Sequence, residues 1–102
     1  MKECCRSYLN EQFGGDADVM NEIYGEYVSS LREKRSEAEA ALAAGDWALL
    51  DRAAHTIKGN ALAAGDQETA ETAISLRNAA KLQDGGAASG LLAKIRELSA
   101  AL

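Results

Sequence analysis

Apolar residues recur along this chain three and four positions apart, the interval that gathers them on one face of an α-helix. Residues 1 to 13 place Cys5, Leu9 and Phe13 at that spacing, and Gly14 and Gly15 close the segment. A short amphipathic helix covering one end of a bundle is expected there. Asp16 is then a suitable N-cap, and Met20, Ile23, Tyr24, Tyr27, Val28, Leu31, Ala38, Ala41 and Leu42 continue the period as far as Gly45. These positions predict one helix of about seven or eight turns. Gly45 and Asp46 end it and cap the next, so AAGDW reads as a short turn between antiparallel neighbours. Gly65 and Asp66 repeat that punctuation before a helix with Ala70, Ala73, Leu76 and Ala80 on its apolar face. Past Asp84, Gly85 and Gly86, a last helix aligns Leu91, Leu92, Ile95, Leu98 and Leu102.

Four amphipathic segments joined by short connections predict an all-α fold, an antiparallel four-helix bundle with a short accessory N-terminal helix. No internal repeat and no long linker divides the chain, so residues 1–102 read as a single domain. Between Arg32 and Glu39 the charges alternate in sign, the usual pattern of a solvated face, and no function is assigned to them.

Composition agrees with helices: the chain is rich in Ala, Leu, Glu, Lys and Arg, lacks proline, and is poor in β-branched and aromatic residues. A net charge of -5 argues against a nucleic-acid partner, because phosphate binding needs clustered Lys and Arg. Cys4 and Cys5 are adjacent, where a disulfide would be strained, and no second pair exists. A reducing cytoplasm is the expected compartment. No apolar run approaches the ~18 residues of a membrane span, and no signal-peptide core opens the chain. A soluble monomer without a membrane partner is expected.

Chemistry concentrates in RAAHTIKGNALAAG, Arg52 to Gly65, which holds the only histidine. Trp47, Leu50, Ala53, Ala54, Ile57, Ala61 and Ala64 fall in one sector of the helical wheel, and His55 lies roughly 140° from its centre. The imidazole is therefore expected at the surface. Lys58, one turn on, places a cation beside it, and like-charge repulsion favours the neutral ring, whose nitrogen lone pair is a nucleophile. The same ammonium can sit against the oxygens of a phosphoryl group carried by that nitrogen. Gly59 costs its helix about 1 kcal/mol relative to alanine. It either gives a phosphate or a docking protein access to the imidazole or allows a close helix crossing, and its place about 40° from His55 favours access. Leu62, about 20° from His55, belongs either to an apolar docking patch or to packing at a bundle edge. Asp51 and Arg52 read as solvated charges that tune docking. No metal site is expected: a metal or haem bundle needs inward ligands from several helices.

The motif AHTIKGNALAAG resembles the signature of histidine-containing phosphotransfer (HPt) domains, Ala-His-x-Leu-Lys-Gly followed by small residues and a glycine. Ala54, His55, Ile57, Lys58, Gly59 and Gly65 stand in the matching places. The resemblance implies a four-helix bundle that accepts a phosphoryl group from a receiver-domain aspartyl phosphate on His55, by family habit on Nε2, and passes it to another receiver aspartate. It implies a phosphocarrier rather than an enzyme, with no cofactor of its own, Mg²⁺ held by the receiver, and response-regulator receivers and a hybrid histidine kinase as partners. The sequence departs from the family at Arg77, where many members have a Gln or Glu that hydrogen-bonds toward the histidine; an arginine cannot accept that bond. Asn60 replaces the usual small residue after Lys-Gly. Arg77 and Asn60 are thus candidates for residues supporting His55. The competing reading is a bundle that binds receivers or another protein without being phosphorylated.

Overall fold

The computed structural model describes residues 1–102 as five helices and no strand: α1 (Glu3–Phe13), α2 (Ala17–Ala44), α3 (Trp47–Ala64), α4 (Gln67–Lys81) and α5 (Gly85–Ala100). Helices α2 to α5 close a ring in which each packs on the next and α5 returns to α2. Helix α1 lies outside the ring against α2 and α3. The fold is the expected all-α bundle with an accessory N-terminal helix. Its 43 Å length is that of α2, whose 28 residues rise about 42 Å.

The helix boundaries follow from local chemistry. Asp16, Asp46, Asp66 and Asp84 each precede a helix and accept a hydrogen bond from the backbone N–H three residues on, at 3.0–3.4 Å. Gly45 and Gly65 adopt left-handed φ values of 69° and 76°, which lets their N–H and that of the following aspartate return to the carbonyls of the last helical turn. Each Gly-Asp pair therefore ends one helix and starts the next, and the reversal takes two residues. At the third junction Gln83 adopts φ 52° in the place glycine holds at the other two, and Gly85 and Gly86 are already helical.

One core draws on all five helices. Its largest fully buried side chains are Leu9, Leu31, Leu50, Ile57, Leu76 and Ile95, and alanines fill much of the rest. Three sequence expectations need correction. Phe13 is 41% exposed, because Cys5 and Leu9 complete the buried face of α1 and its last turn lies beyond them. On α5 the buried face is Ala88, Leu92, Ile95 and Ser99, with Leu91 and Leu98 only half-buried at its edges. The α2 charges are not all solvated: Arg35 donates to the buried Ser99 hydroxyl at 2.9 Å, and Glu39 pairs with Arg96 at 2.7 Å, both tying α2 to α5.

Asp66 does more than cap. Its carboxylate is fully buried and accepts from Tyr27 Oη at 2.7 Å, Thr69 Oγ1 at 2.8 Å and Lys2 Nζ at 2.9 Å, joining α2, α4 and the residue before α1. Burial pushes this carboxyl up, but the hydrogen bonds from Tyr27, Lys2 and Thr69 together outweigh it and hold it below the usual carboxylate range. Beside it Tyr8 of α1 covers Gly65 so closely that a Cβ on Gly65 would collide with the Tyr8 side chain. Helix α1 is thereby locked over the α3–α4 turn.

Replacing Asp66 with Ala strands Tyr27, Thr69 and Lys2 together. Asp66→Ala is expected to lower the unfolding free energy at neutral pH by about 3 kcal/mol, measured by urea denaturation followed by helical circular dichroism. A loss under about 1 kcal/mol would show that these bonds are replaced by water. Because the native pKa is depressed, this stability is present above the unfolded carboxylate value of ~3.9 and is lost as pH falls through the lower native value. The gap between wild type and variant should therefore close in acid.

Candidate functional site

Helix α3 has two unlike faces. Leu50, Ala54, Ile57 and Ala61 are fully buried, which turns the opposite side of the helix, with His55, to solvent. The imidazole is exposed, as the helical wheel indicates. Lys58 follows one turn on, half-buried, and takes part in none of the ion pairs of the bundle. A Cβ built on Gly59 would meet nothing within 4 Å. No helix crosses there, and the space beside His55 is open.

The remaining candidates divide into those that reach His55 and those that do not. Asn60 Nδ2 donates to Ser30 Oγ at 2.7 Å, so its side chain ties α3 to α2. Leu62 is 45% exposed on the histidine side, an apolar surface residue rather than a packed edge. Arg52 is exposed, and its carbonyl accepts from Thr56 Oγ1 at 3.2 Å within the helix. Asp51 was expected to be a solvated charge; it instead accepts from Arg77 Nε of α4 at 3.0 Å. That hydrogen bond holds the Asp51 carboxyl below the usual carboxylate range.

Arg77 does reach the histidine. Its Nη1 lies 3.1 Å from His55 Nδ1 while its Nε holds Asp51, so one guanidinium bridges two residues a turn apart on α3. Because a guanidinium only donates, Nδ1 is the acceptor in this contact. Sequence reasoning marked Arg77 as a departure but paired Asp51 with solvent. The available signal was the spacing, since Asp51 precedes His55 by four residues and shares its face. No three His, Cys, Asp or Glu side chains converge as metal ligands would. Cys4 and Cys5 are both free, and burial pushes the Cys5 thiol up to about 12, far from a reactive thiolate.

An Hpt domain family model matches residues 22–102, that is, α2 from its second turn through α5. No curated protein and no solved structure gave a significant match. The chain belongs to the Hpt domain family. Members of that family serve histidine phosphotransfer in phosphorelays, as phosphocarriers rather than enzymes, and interact with receiver domains. No helix is long and apolar enough to cross a membrane.

The open space at Gly59 has a measurable consequence for stability. Gly59→Ala adds a helix-favouring methyl with nothing to strike, so it should stabilise the bundle by about 0.5–1 kcal/mol. That corresponds to a rise in Tm of about 2–8 °C. A lower Tm would mean that α3 needs the glycine for packing after all.

Proposed function

We propose that His55 is the phosphoacceptor, taking a phosphoryl group from a receiver aspartyl phosphate and returning it to the aspartate of another receiver. The observation that carries this reading is the pairing of an exposed imidazole with unobstructed helix surface at Gly59, inside the span that matches the Hpt family. In the forward step a ring nitrogen lone pair forms the N–P bond as the P–O bond to the aspartyl carboxylate breaks, and the carboxylate leaves with the electron pair. The return step is its reverse. Lys58 serves both by holding charge that develops on the phosphoryl oxygens. Gly59 leaves room for the incoming group, and Leu62, Asp51 and Arg52 lie on the docking face.

The chain needs no cofactor of its own under this reading; Mg²⁺ belongs to the receiver. Its partners are response-regulator receivers and a hybrid histidine kinase, its compartment is the reducing cytoplasm, and residues 1–102 act as one domain. A second reading, a bundle that binds receivers without being phosphorylated, rests on Arg77 occupying Nδ1. Acid-labile, base-stable phosphate on the protein after incubation with a phosphorylated receiver decides against it.

His55→Gln should keep the helical circular dichroism of the wild type and lose all labelling by a phosphorylated receiver. Labelling at the wild-type level would remove His55 from its role. Lys58→Ala should fold normally and slow transfer at least about tenfold in single-turnover labelling; an unchanged rate would remove the lysine from the mechanism.

A further inference from the structure

The contact between Arg77 and His55 determines more than the direction in which the ring points. Arg77 Nη1 approaches Nδ1 at 3.1 Å, and a guanidinium carries five N–H donors and no acceptor. Nδ1 must therefore present its lone pair. A ring protonated on both nitrogens cannot do so, and a neutral ring can do so only with its single proton on Nε2. The arrangement thus selects the Nε2–H tautomer. In that tautomer neither nitrogen is a free nucleophile: the Nδ1 lone pair is held by Arg77, and Nε2 has its in-plane electrons in the N–H bond.

The guanidinium is itself anchored. Its Nε donates to Asp51 Oδ1 at 3.0 Å, and both side chains are only about a quarter to a third exposed. Asp51 lies one turn before His55 on the same face of α3, so the carboxylate that holds Arg77 is placed to accept from Nδ1 once the arginine has gone. The other charged groups around the ring, Lys58 on α3 and Arg52 at the preceding turn, have only donors. Of these charged side chains, Asp51 alone can take a hydrogen bond from Nδ1–H.

We propose that Arg77 and Asp51 are positioning residues that set the tautomer of His55: Arg77 keeps the resting ring as Nε2–H, and its departure passes the orienting role to Asp51, which receives Nδ1–H and opens Nε2. Departure is favoured when an anion, a phosphoryl group or an acidic side chain of the docked receiver, competes with Asp51 for the guanidinium. In the switch Nε2 gives its proton to water while Nδ1 takes one from water, so the charge of the ring does not change. Nε2 then bears the lone pair that forms the N–P bond as the aspartyl P–O bond breaks. A bundle free in solution is thereby poorly reactive, and a docked one is competent.

The inference rests on His55 being the phosphoacceptor, but its first test does not. Long-range ¹H–¹⁵N correlation spectra of the full unphosphorylated chain assign the tautomer of its only histidine directly. The wild type is expected to show Nε2–H. Arg77→Gln, whose side-chain carbonyl can accept, is expected to show Nδ1–H with unchanged helical circular dichroism. In single-turnover labelling by a phosphorylated receiver, Arg77→Gln should accept about tenfold faster than the wild type, the factor that one hydrogen bond to a charged group supplies. A wild-type Nδ1–H ring, or an Arg77→Gln ring still in the Nε2–H form, overturns the tautomer assignment. The expected tautomer shift without faster labelling overturns the gating role. The shift together with no labelling of either protein supports the tautomer assignment and sinks the phosphoacceptor reading instead.

Discussion

Alanine lines the buried faces of α3 and α4, with Ala53, Ala54, Ala61 and Ala64 on one helix and Ala70, Ala73 and Ala80 on the other, all at most 5% exposed. Small side chains at a crossing bring helix axes toward the near end of the usual ~8–10 Å separation. The close approach is what lets a side chain of α4 reach the exposed face of α3. Arg77 flanks Leu76, which is fully buried, and from that edge it spans to Asp51 and His55 together. A bulkier seam would move Arg77 away from the ring. Packing in the core thereby sets the hydrogen bonding of a surface histidine.

An alanine seam contributes little apolar area per residue, so stability must be concentrated elsewhere. The large buried side chains Leu31, Leu50, Ile57, Leu76 and Ile95 supply most of it along the bundle axis. At the α3–α4 turn the Asp66 carboxylate takes over, collecting Lys2, Tyr27 and Thr69. Buried charge is tolerated there because each donor is in place. The rigid end and the open histidine face are carried by the same helix: α3 runs from the Asp46 cap, past His55, to the Gly65 turn that Tyr8 covers. Anchoring α3 at its end leaves its middle free to present the imidazole.

What could be read from the sequence was local. The aspartate caps at Asp16, Asp46 and Asp66, the Gly-Asp reversals and the long period of α2 depend on residues a few positions apart, and the structure places them where the pattern indicates; the last helix starts earlier than the pattern indicates, with Asp84 as its cap and Gly85 and Gly86 inside it. The exposure of His55 follows from the same period. What escaped was tertiary. Asp66 reads as a cap, but its burial depends on Tyr27 and Lys2, 39 and 64 residues away. Arg35 reads as part of a solvated charge run, yet it reaches Ser99 on a helix 64 residues on. Phe13 has the right spacing and no surface to cover. Arg77 was visible as a departure from the family pattern, and only the crossing of α3 and α4 reveals that it bonds His55 through the nitrogen that a carbonyl partner would have kept protonated.

We propose above that His55 carries a phosphoryl group reversibly between receivers. It is tested most directly by ³¹P nuclear magnetic resonance of the full chain mixed with a phosphorylated receiver and Mg²⁺, followed by addition of a second, unphosphorylated receiver. A phosphohistidine resonance is expected to grow as the first receiver loses its phosphoryl group and to disappear when the second is added. A spectrum in which the aspartyl phosphate decays only to inorganic phosphate, with no phosphohistidine at any time, would contradict it.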